Sequence, residues 1–353
     1  MNMVLDAKFS ADEIRHALFQ MHPTKAPGVD GLPALFFQKY WSIVGDGVVA
    51  ACLGCLNDGL PMQEVNSTLI TLIPKKERPR EVSDFRPISL CTSVYKIIAK
   101  TIANRLRSVL GDVIFESQSA FISGRLITDN ALIGFECMHL LKRKKLGDHG
   151  FAALKLDMSK AYDRVEWSYL ESIMRRLGFS ASWVDLILRC VSSVSYSFVV
   201  NGEVFGRVQP SRGLRQGDPL SPYLFIICSE GLSGLVSSAE SDGRLLGLRC
   251  GRYGPRISHL FFADDSLLFF RASSIDCSAV GSLLDSYSEA RLLVHEMELL
   301  LVLLWRFWFR RNRAVHSAPL LSLALWHQPV GVQFGDVPSS LVPLVVDDSR
   351  GLL

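Results

Sequence analysis

Apolar positions along the chain switch repeatedly between a period near 3.6 and a period near 2, and the switches mark out helices and strands in alternation. Ser10 and Glu13 stand three apart ahead of IRHALFQM, the spacing of a capping box, and predict a short opening helix. Residues 34 to 57 keep a helical period until Gly59 stops it, and STLITLIP reads as a strand closed by Pro74. From 94 to 110, Val94, Ile97, Ile98, Ile102, Leu106 and Leu110 share one helical face, while Lys96, Lys100, Arg105 and Arg107 give that helix a basic side. FAALKLD is a buried strand ending at Asp157, followed by a helix from about 166 to 177 that Gly178 ends. SYSFVVNGEVFGRVQ is a hairpin turning on Asn201-Gly202, and a helix follows at about 219 to 239. A second hairpin lies within FFADDSLLFF, residues 261 to 270, and CSAVGSLLDSYSEA is a further helix.

Composition narrows the picture little: 353 residues, 48% apolar and 21% charged, describe a globular chain with room for more than one lobe. Charge distribution narrows it further. The net charge is +3, yet residues 75 to 107 hold nine Lys or Arg against three acids, a +6 segment that leaves −3 for the remainder. KRKK at 142 to 145 adds a second basic cluster, suited either to a polyanion or to a solvated helix face. The eight cysteines are scattered and no apolar signal segment opens the chain, so an intracellular, reduced protein of nucleus or cytoplasm is expected. The apolar run after 292 is broken by His295, Glu296, Glu298 and Arg306, too short and too charged for a membrane span. Pro-broken apolar pieces follow it, and residues 291–353 are expected to form a poorly folded tail.

The chemistry begins with Asp264 and Asp265, two adjacent carboxylates inside an otherwise apolar decapeptide. Desolvating like charges side by side is costly unless a cation serves them. Either they form an exposed hairpin tip or they bind a divalent metal. Asp157 closes another predicted strand, and if the two elements are sheet neighbours, three hard oxygen ligands converge as Mg²⁺ prefers. Strand alternation means Asp264 and Asp265 cannot aim alike unless the turn rotates one of them, which puts Asp264 ahead of Asp265 as a ligand. SRGLRQGDPLSP, 211 to 222, is either an ordinary loop capped by Asp218 or a Gly-punctuated anion site bringing Arg215 to an anion or base. Arg86, after a basic loop, is either an ordinary surface Arg or a fork of donors suited to a triphosphate. Tyr162 falls on the turn after Asp157, either as a core aromatic or beside the metals.

KAPGVDGLPALFFQKYW, LIPKKERPREVSDFRPISLCTSVYKIIAKTIANRL, QSAFISGRLITDNALI, LKLDMSKAYDRVEW, GLRQGDPLSPYLF and FADDSLLF follow one another between residues 25 and 269, inside a match that runs from about residue 8 to 287. In order and spacing they resemble the reverse transcriptase of non-LTR (LINE-type) retrotransposons, plant versions above all. The resemblance implies an α+β right-hand polymerase with an antiparallel palm sheet packed on helices, with fingers, an N-terminal extension and part of the palm in 1–150 and the palm with its catalytic carboxylates in 151–290. It implies RNA-directed DNA synthesis from an RNA template, a DNA primer and dNTPs, with no membrane partner. Two Mg²⁺ ions, with Mn²⁺ as the alternative, would be held by Asp157, Asp264 and Asp265. Tyr162 resembles the aromatic that closes the space of a ribose 2′-hydroxyl. Gln216 and Gly217 resemble the pair lying against nucleotide and template, and Arg86 with Lys75 or Lys76 the finger residues on the triphosphate. Lys96, Lys100, Arg105 and Arg215 are then expected along the nucleic-acid path.

The resemblance lapses after the catalytic hairpin. YSEARLLVHEMELL has neither the Gly-containing turn nor the Lys that the family carries there, so a truncated copy with an absent or degenerate thumb is expected, with no endonuclease before residue 8. The alternative is an inactive relic that only binds nucleic acid weakly. A maturase or an RNA-copying enzyme of the same hand would call for a basic domain after the thumb or for no bulky residue at Tyr162.

Overall fold

A computed structural model describes residues 1–143, 150–158, 160–251, 253–289 and 297–300; for Arg143, Asp157, Glu289 and 297–300 it describes the backbone alone. The N-terminal part is helical: α1 (Asn2–Leu5), α2 (Ala11–Gln20), α3 (Ala34–Lys39) and α4 (Trp41–Asn57). Ser10 caps α2 as its spacing predicts, its hydroxyl accepting from the Glu13 amide while the Glu13 carboxylate accepts from the Ser10 amide. The helical pattern over 34 to 57 is interrupted at Tyr40, whose backbone (φ −104°, ψ 24°) leaves the helix for one residue.

Strands β1 (Ser67–Pro74) and β2 (Phe85–Cys91) lead into α5 (Ser93–Val113), and α6 (Ile127–Arg143) precedes β3 (Phe151–Met158). Then come α7 (Trp167–Arg176), α8 (Ala181–Ser192), β4 (Ser195–Val200), β5 (Glu203–Val208) and α9 (Ser221–Ser241). The two-residue strands β6 (Leu248–Arg249) and β7 (Arg256–Ile257), β8 (His259–Phe262), β9 (Asp265–Arg271), α10 (Ser274–Glu289) and β10 (Met297–Leu300) complete the described order. One sheet runs β2-β1-β4-β5, with β1 and β4 parallel, and so takes strands from both sides of residue 150; the other, β10-β3-β9-β8, is antiparallel throughout.

The main core lies around α5 and α9. Tyr95, Ile97, Ile98, Ile102, Leu106 and Leu110 of α5 are fully buried, as are Ile226, Ile227 and Leu232 of α9. The basic side predicted for α5 is correspondingly turned inward at two of its four positions. Lys96 is buried and donates to the Ala26 carbonyl at 2.6 Å. Arg105 is also buried, pairs with Glu13 at 2.6 Å, donates to the carbonyls of Leu5, Ala7 and Lys8, and lies over the Phe9 ring. Both cations fasten the N-terminal segment to α5, because carbonyls brought there by distant sequence satisfy their donors. Among the described residues no helix is long and apolar enough to cross a membrane. Of the tail expected over 291–353, residues 297–300 form β10 on the edge of the second sheet and the others fall outside the described residues, as do Lys144 and Lys145 of the basic KRKK cluster.

Candidate catalytic carboxylate site

Strand register alone fixes the place of the site. Phe262 pairs with Asp265, so Ala263 and Asp264 are the two residues of the β8–β9 turn, and Ala263 takes the left-handed backbone such a turn requires (φ 54°). Asp265 opens β9 directly opposite Asp157 on β3. Facing Cα atoms in an antiparallel ladder are about 4.5–5.5 Å apart, so residues 108 positions apart in sequence are neighbours at one sheet end.

The apolar flanks of the decapeptide have a separate purpose. Phe261, Leu268, Phe269 and Phe270 are buried and hold the hairpin, whereas Asp264 and Asp265 at its tip are exposed. Water therefore covers the desolvation cost that the sequence raises. The Lys155 ammonium stands 3.0 Å from an Asp265 carboxylate oxygen, both side chains about half exposed. A pair so solvated is weak and exchangeable, and it puts a cation beside the carboxylate. Among the described residues no three metal-ligating side chains are gathered, the side chain of Asp157 lying outside them. Hard carboxylate oxygens at an exposed sheet end are nevertheless the donor chemistry that Mg²⁺ takes.

Tyr162 adjoins this tip. Its ring stacks on Phe225 of α9 with centroids 4.9 Å apart and planes 9° apart. Burial, and secondarily the charge of Asp264, push its phenol up to about 12, so it stays neutral. The Gly-punctuated loop closes over the same turn: the Gly213 amide donates to the Val165 carbonyl and the Leu214 amide to the Tyr162 carbonyl, each at 2.7 Å. The Gln216 carbonyl accepts from the Ser89 amide at 2.8 Å, which ties the loop to β2. Gly217 is required there: at φ 108° it lies so close to β2 that a Cβ would stand 3.0 Å from the Ser89 carbonyl oxygen.

Arg86 on β2, three residues before Ser89, is exposed and has no ion-pair partner among the described residues. Lys75 and Lys76 are exposed in the neighbouring loop, Lys75 donating to the Ser83 carbonyl and Lys76 paired with Asp84 at 2.7 Å. Asp84 holds that loop, its carboxyl lowered to about 2 by the Arg80 amide, then by Lys76 and the Glu81 amide.

Arg215 departs from expectation. It is buried, paired with Asp218 at 2.8 Å, bonded to Asn66, Thr68 and the Cys190 carbonyl, and stacked 4.0 Å over the Tyr95 ring. Its donors are taken up inside the protein and none is offered to an anion or a base, and Arg105 and Lys96 are engaged internally in the same way. Lys100 is half-buried, its ammonium lowered by burial and by the cations Arg107 and Lys25. Two neighbours of the site had no role in the sequence reading. Lys155 carried the signal of a residue two positions before Asp157 on one strand; Gln118, in the QSAF stretch, carried none, because its partner is a backbone amide far along the chain.

The sequence model of the family described as reverse transcriptase (RNA-dependent DNA polymerase) matches residues 73–296. A 149 kDa protein of transposon TX1 from Xenopus laevis is 32% identical over 264 residues, 75% of this chain and 20% of that protein. A mitochondrial protein of Arabidopsis thaliana is 62% identical over 69 residues, 20% of this chain and 57% of the relative. A retrovirus-related Pol polyprotein from a type-1 retrotransposable element R2 of Popillia japonica is 28% identical over 199 residues, 56% of this chain and 26% of the polyprotein. This chain thus spans about a fifth of the length of the Xenopus relative. With more than half of its residues matched, and with relatives among non-LTR retrotransposons, the chain belongs to the reverse transcriptase (RNA-dependent DNA polymerase) family.

Proposed function

We propose that this chain copies RNA into DNA as the polymerase part of a plant non-LTR retrotransposon, with fingers in 1–150 and palm in 151–290. The observation that carries the reading is the register that sets Asp265 opposite Asp157, with Asp264 on the adjoining turn. In the reaction the primer 3′-oxygen bonds to the α-phosphorus of a dNTP. The bond from that phosphorus to the bridging oxygen breaks, pyrophosphate leaves, and the hydroxyl proton passes to solvent. Asp157, Asp264 and Asp265 would hold two Mg²⁺ ions, which when bound supply charge for the attacking and leaving oxygens.

The chain's own residues account for the rest. Neutral Tyr162, braced by Phe225, presents a flat apolar wall beside Asp264, where it disfavours a sugar carrying an additional 2′-hydroxyl. Gln216 and Gly217, bonded to β2, give the nucleotide a backbone surface without a Cβ in the way. Arg86, with Lys75 beside it, supplies positive charge to the triphosphate. Lys155 neutralises Asp265 until the site is filled.

The test is primer extension on a primed RNA with dNTPs and Mg²⁺. Extension by the unmodified chain that Asp157→Ala abolishes supports the reading. Extension that persists in Asp157→Ala removes it, and a folded unmodified chain that binds primed RNA without extending it is a binding relic.

A further inference from the structure

We propose that Gln118 is a positioning residue that sets the turn carrying Asp264 and Asp265; its bearing on catalysis rests on the function proposed above. Its side chain is wholly buried, and its carbonyl oxygen accepts two backbone hydrogen bonds, from Ala263 at 3.1 Å and from Ala120 at 2.9 Å. The amide nitrogen donates to Ser229 of α9 at 3.4 Å, which fixes the direction of the carbonyl. Ala263 is where help is needed. As the left-handed residue between β8 and Asp264 it carries a Cβ in a backbone region that costs about 1–2 kcal/mol outside glycine, and the hairpin ladder ends at the Phe262–Asp265 pair.

The segment around Gln118 is built as a splint for β8, which is the outer strand of its sheet. The Phe261 amide donates to the Ser117 carbonyl at 2.8 Å, and the Ser119 amide donates to the Phe261 carbonyl at 3.2 Å. Asn130 from α6 donates to the carbonyls of Phe261 at 2.8 Å and Ser117 at 3.3 Å. Residues 117–119 thereby extend the sheet by one short strand, and Gln118 alone of the three reaches past the strand into the turn. A rotation at Ala263 would redirect Asp264 first, so a group that holds the Ala263 amide controls where that carboxylate stands.

The experiment compares the full chain with Gln118→Met, which keeps the shape and removes the acceptor, and with Gln118→Glu, which restores an acceptor. Three quantities are read: hydrogen exchange of the Ala263 amide, Mn²⁺ binding by electron paramagnetic resonance, and the Mg²⁺ dependence of primer extension. In Gln118→Met the Ala263 amide exchanges about tenfold faster, the size expected for one buried hydrogen bond, while protection in α5 is unchanged. Mn²⁺ then binds about tenfold more weakly if the turn is displaced by the same free energy. Extension requires correspondingly more Mg²⁺, and Gln118→Glu returns all three quantities toward the original values.

Unchanged exchange at Ala263 and unchanged Mn²⁺ affinity in a folded Gln118→Met protein would overturn the proposal. Should that variant lose α5 protection, Asn130→Ala decides, because it loosens the splint without emptying a buried site. Faster exchange at Ala263 then supports the role, and no change rejects it. If the unmodified chain neither binds Mn²⁺ nor extends a primer, the polymerase reading fails on its own, and the exchange arm still decides what Gln118 holds.

Discussion

Replacing Arg215 by methionine separates an internal clamp from a ligand-binding cation. The guanidinium and its partner Asp218 are both 3% exposed in their side chains, at 2.8 Å from each other. Without Arg215, Asp218 keeps one described hydrogen bond, accepted from the Leu220 amide at 2.8 Å, and Asn66 and Thr68 lose a donor. An exposed pair lost in this way would cost under about 1 kcal/mol. A buried carboxylate left without its cation costs about 3–5 kcal/mol, so burial decides the size. Urea unfolding of Arg215→Met, followed by midpoint shift at constant slope, is expected to report a loss in that range. Arg215→Met combined with Asp218→Leu removes the stranded charge and should recover all but about 1 kcal/mol. A loss below about 1 kcal/mol in the single variant would refute the clamp. If RNA affinity fell at the same time with a salt slope smaller by about one, Arg215 would be a phosphate contact after all.

Two buried groups give opposite pH responses. Glu230 is raised to about 7 chiefly by burial, so the native state binds its proton more readily than the unfolded chain, and its contribution falls as pH rises from 4.5 to 7. His259 is lowered to about 4 by burial, so the native state keeps it neutral, and its contribution falls as pH drops from 6.5 to 4. Thermal midpoints of Glu230→Gln should therefore rise with pH across 4.5 to 6.5 relative to the unmodified chain, and those of His259→Gln should fall; parallel profiles would show that neither shift exists. Ala263→Gly should raise stability by up to about 1 kcal/mol, against the usual loss for this substitution, because Ala263 occupies a left-handed backbone; destabilisation by that amount in urea would contradict the strain. Lys155→Gln should move stability by less than about 1 kcal/mol and tighten Mn²⁺ binding several-fold in an isothermal titration, since the ammonium competes for Asp265; weaker binding would assign Lys155 to orienting the carboxylate.

What could be read from sequence were features whose causes are local. Asn201-Gly202 announces its hairpin because both residues take the left-handed backbone, at φ 51° and 87°. Ser10 and Glu13 announce their cap through hydrogen bonds three residues apart. Pro87 hid β2, since proline cannot donate to a ladder; the strand tolerates it as the outer strand of its sheet. The pattern over α6 was obscured because Leu132 and Phe135 lie exposed on it, and α8, which Ser180 caps, was not read from the sequence at all. The meeting of Asp157 with the 264/265 turn was inferred from family resemblance and lies in the β3–β9 register. Charge was the least legible property. Nothing near Arg105 in sequence shows that Glu13, 92 residues earlier, will neutralise it, or that Arg215 will find Asn66.

The parallel pairing of β1 with β4 sets a timetable for synthesis. Ser67 meets Ser195 across 128 residues, so the first sheet stays incomplete until α8 has been made and β4 has emerged. At about 5–20 residues per second a ribosome takes on the order of ten seconds to cover that distance. Once β2 has been made, β1 has that strand on one side and an open row of amides and carbonyls on the other until β4 arrives. The nascent chain, more than the finished one, is therefore the stage at which stray strand pairing threatens the yield of protein, and slowing initiation or supplying a chaperone should help most in that interval.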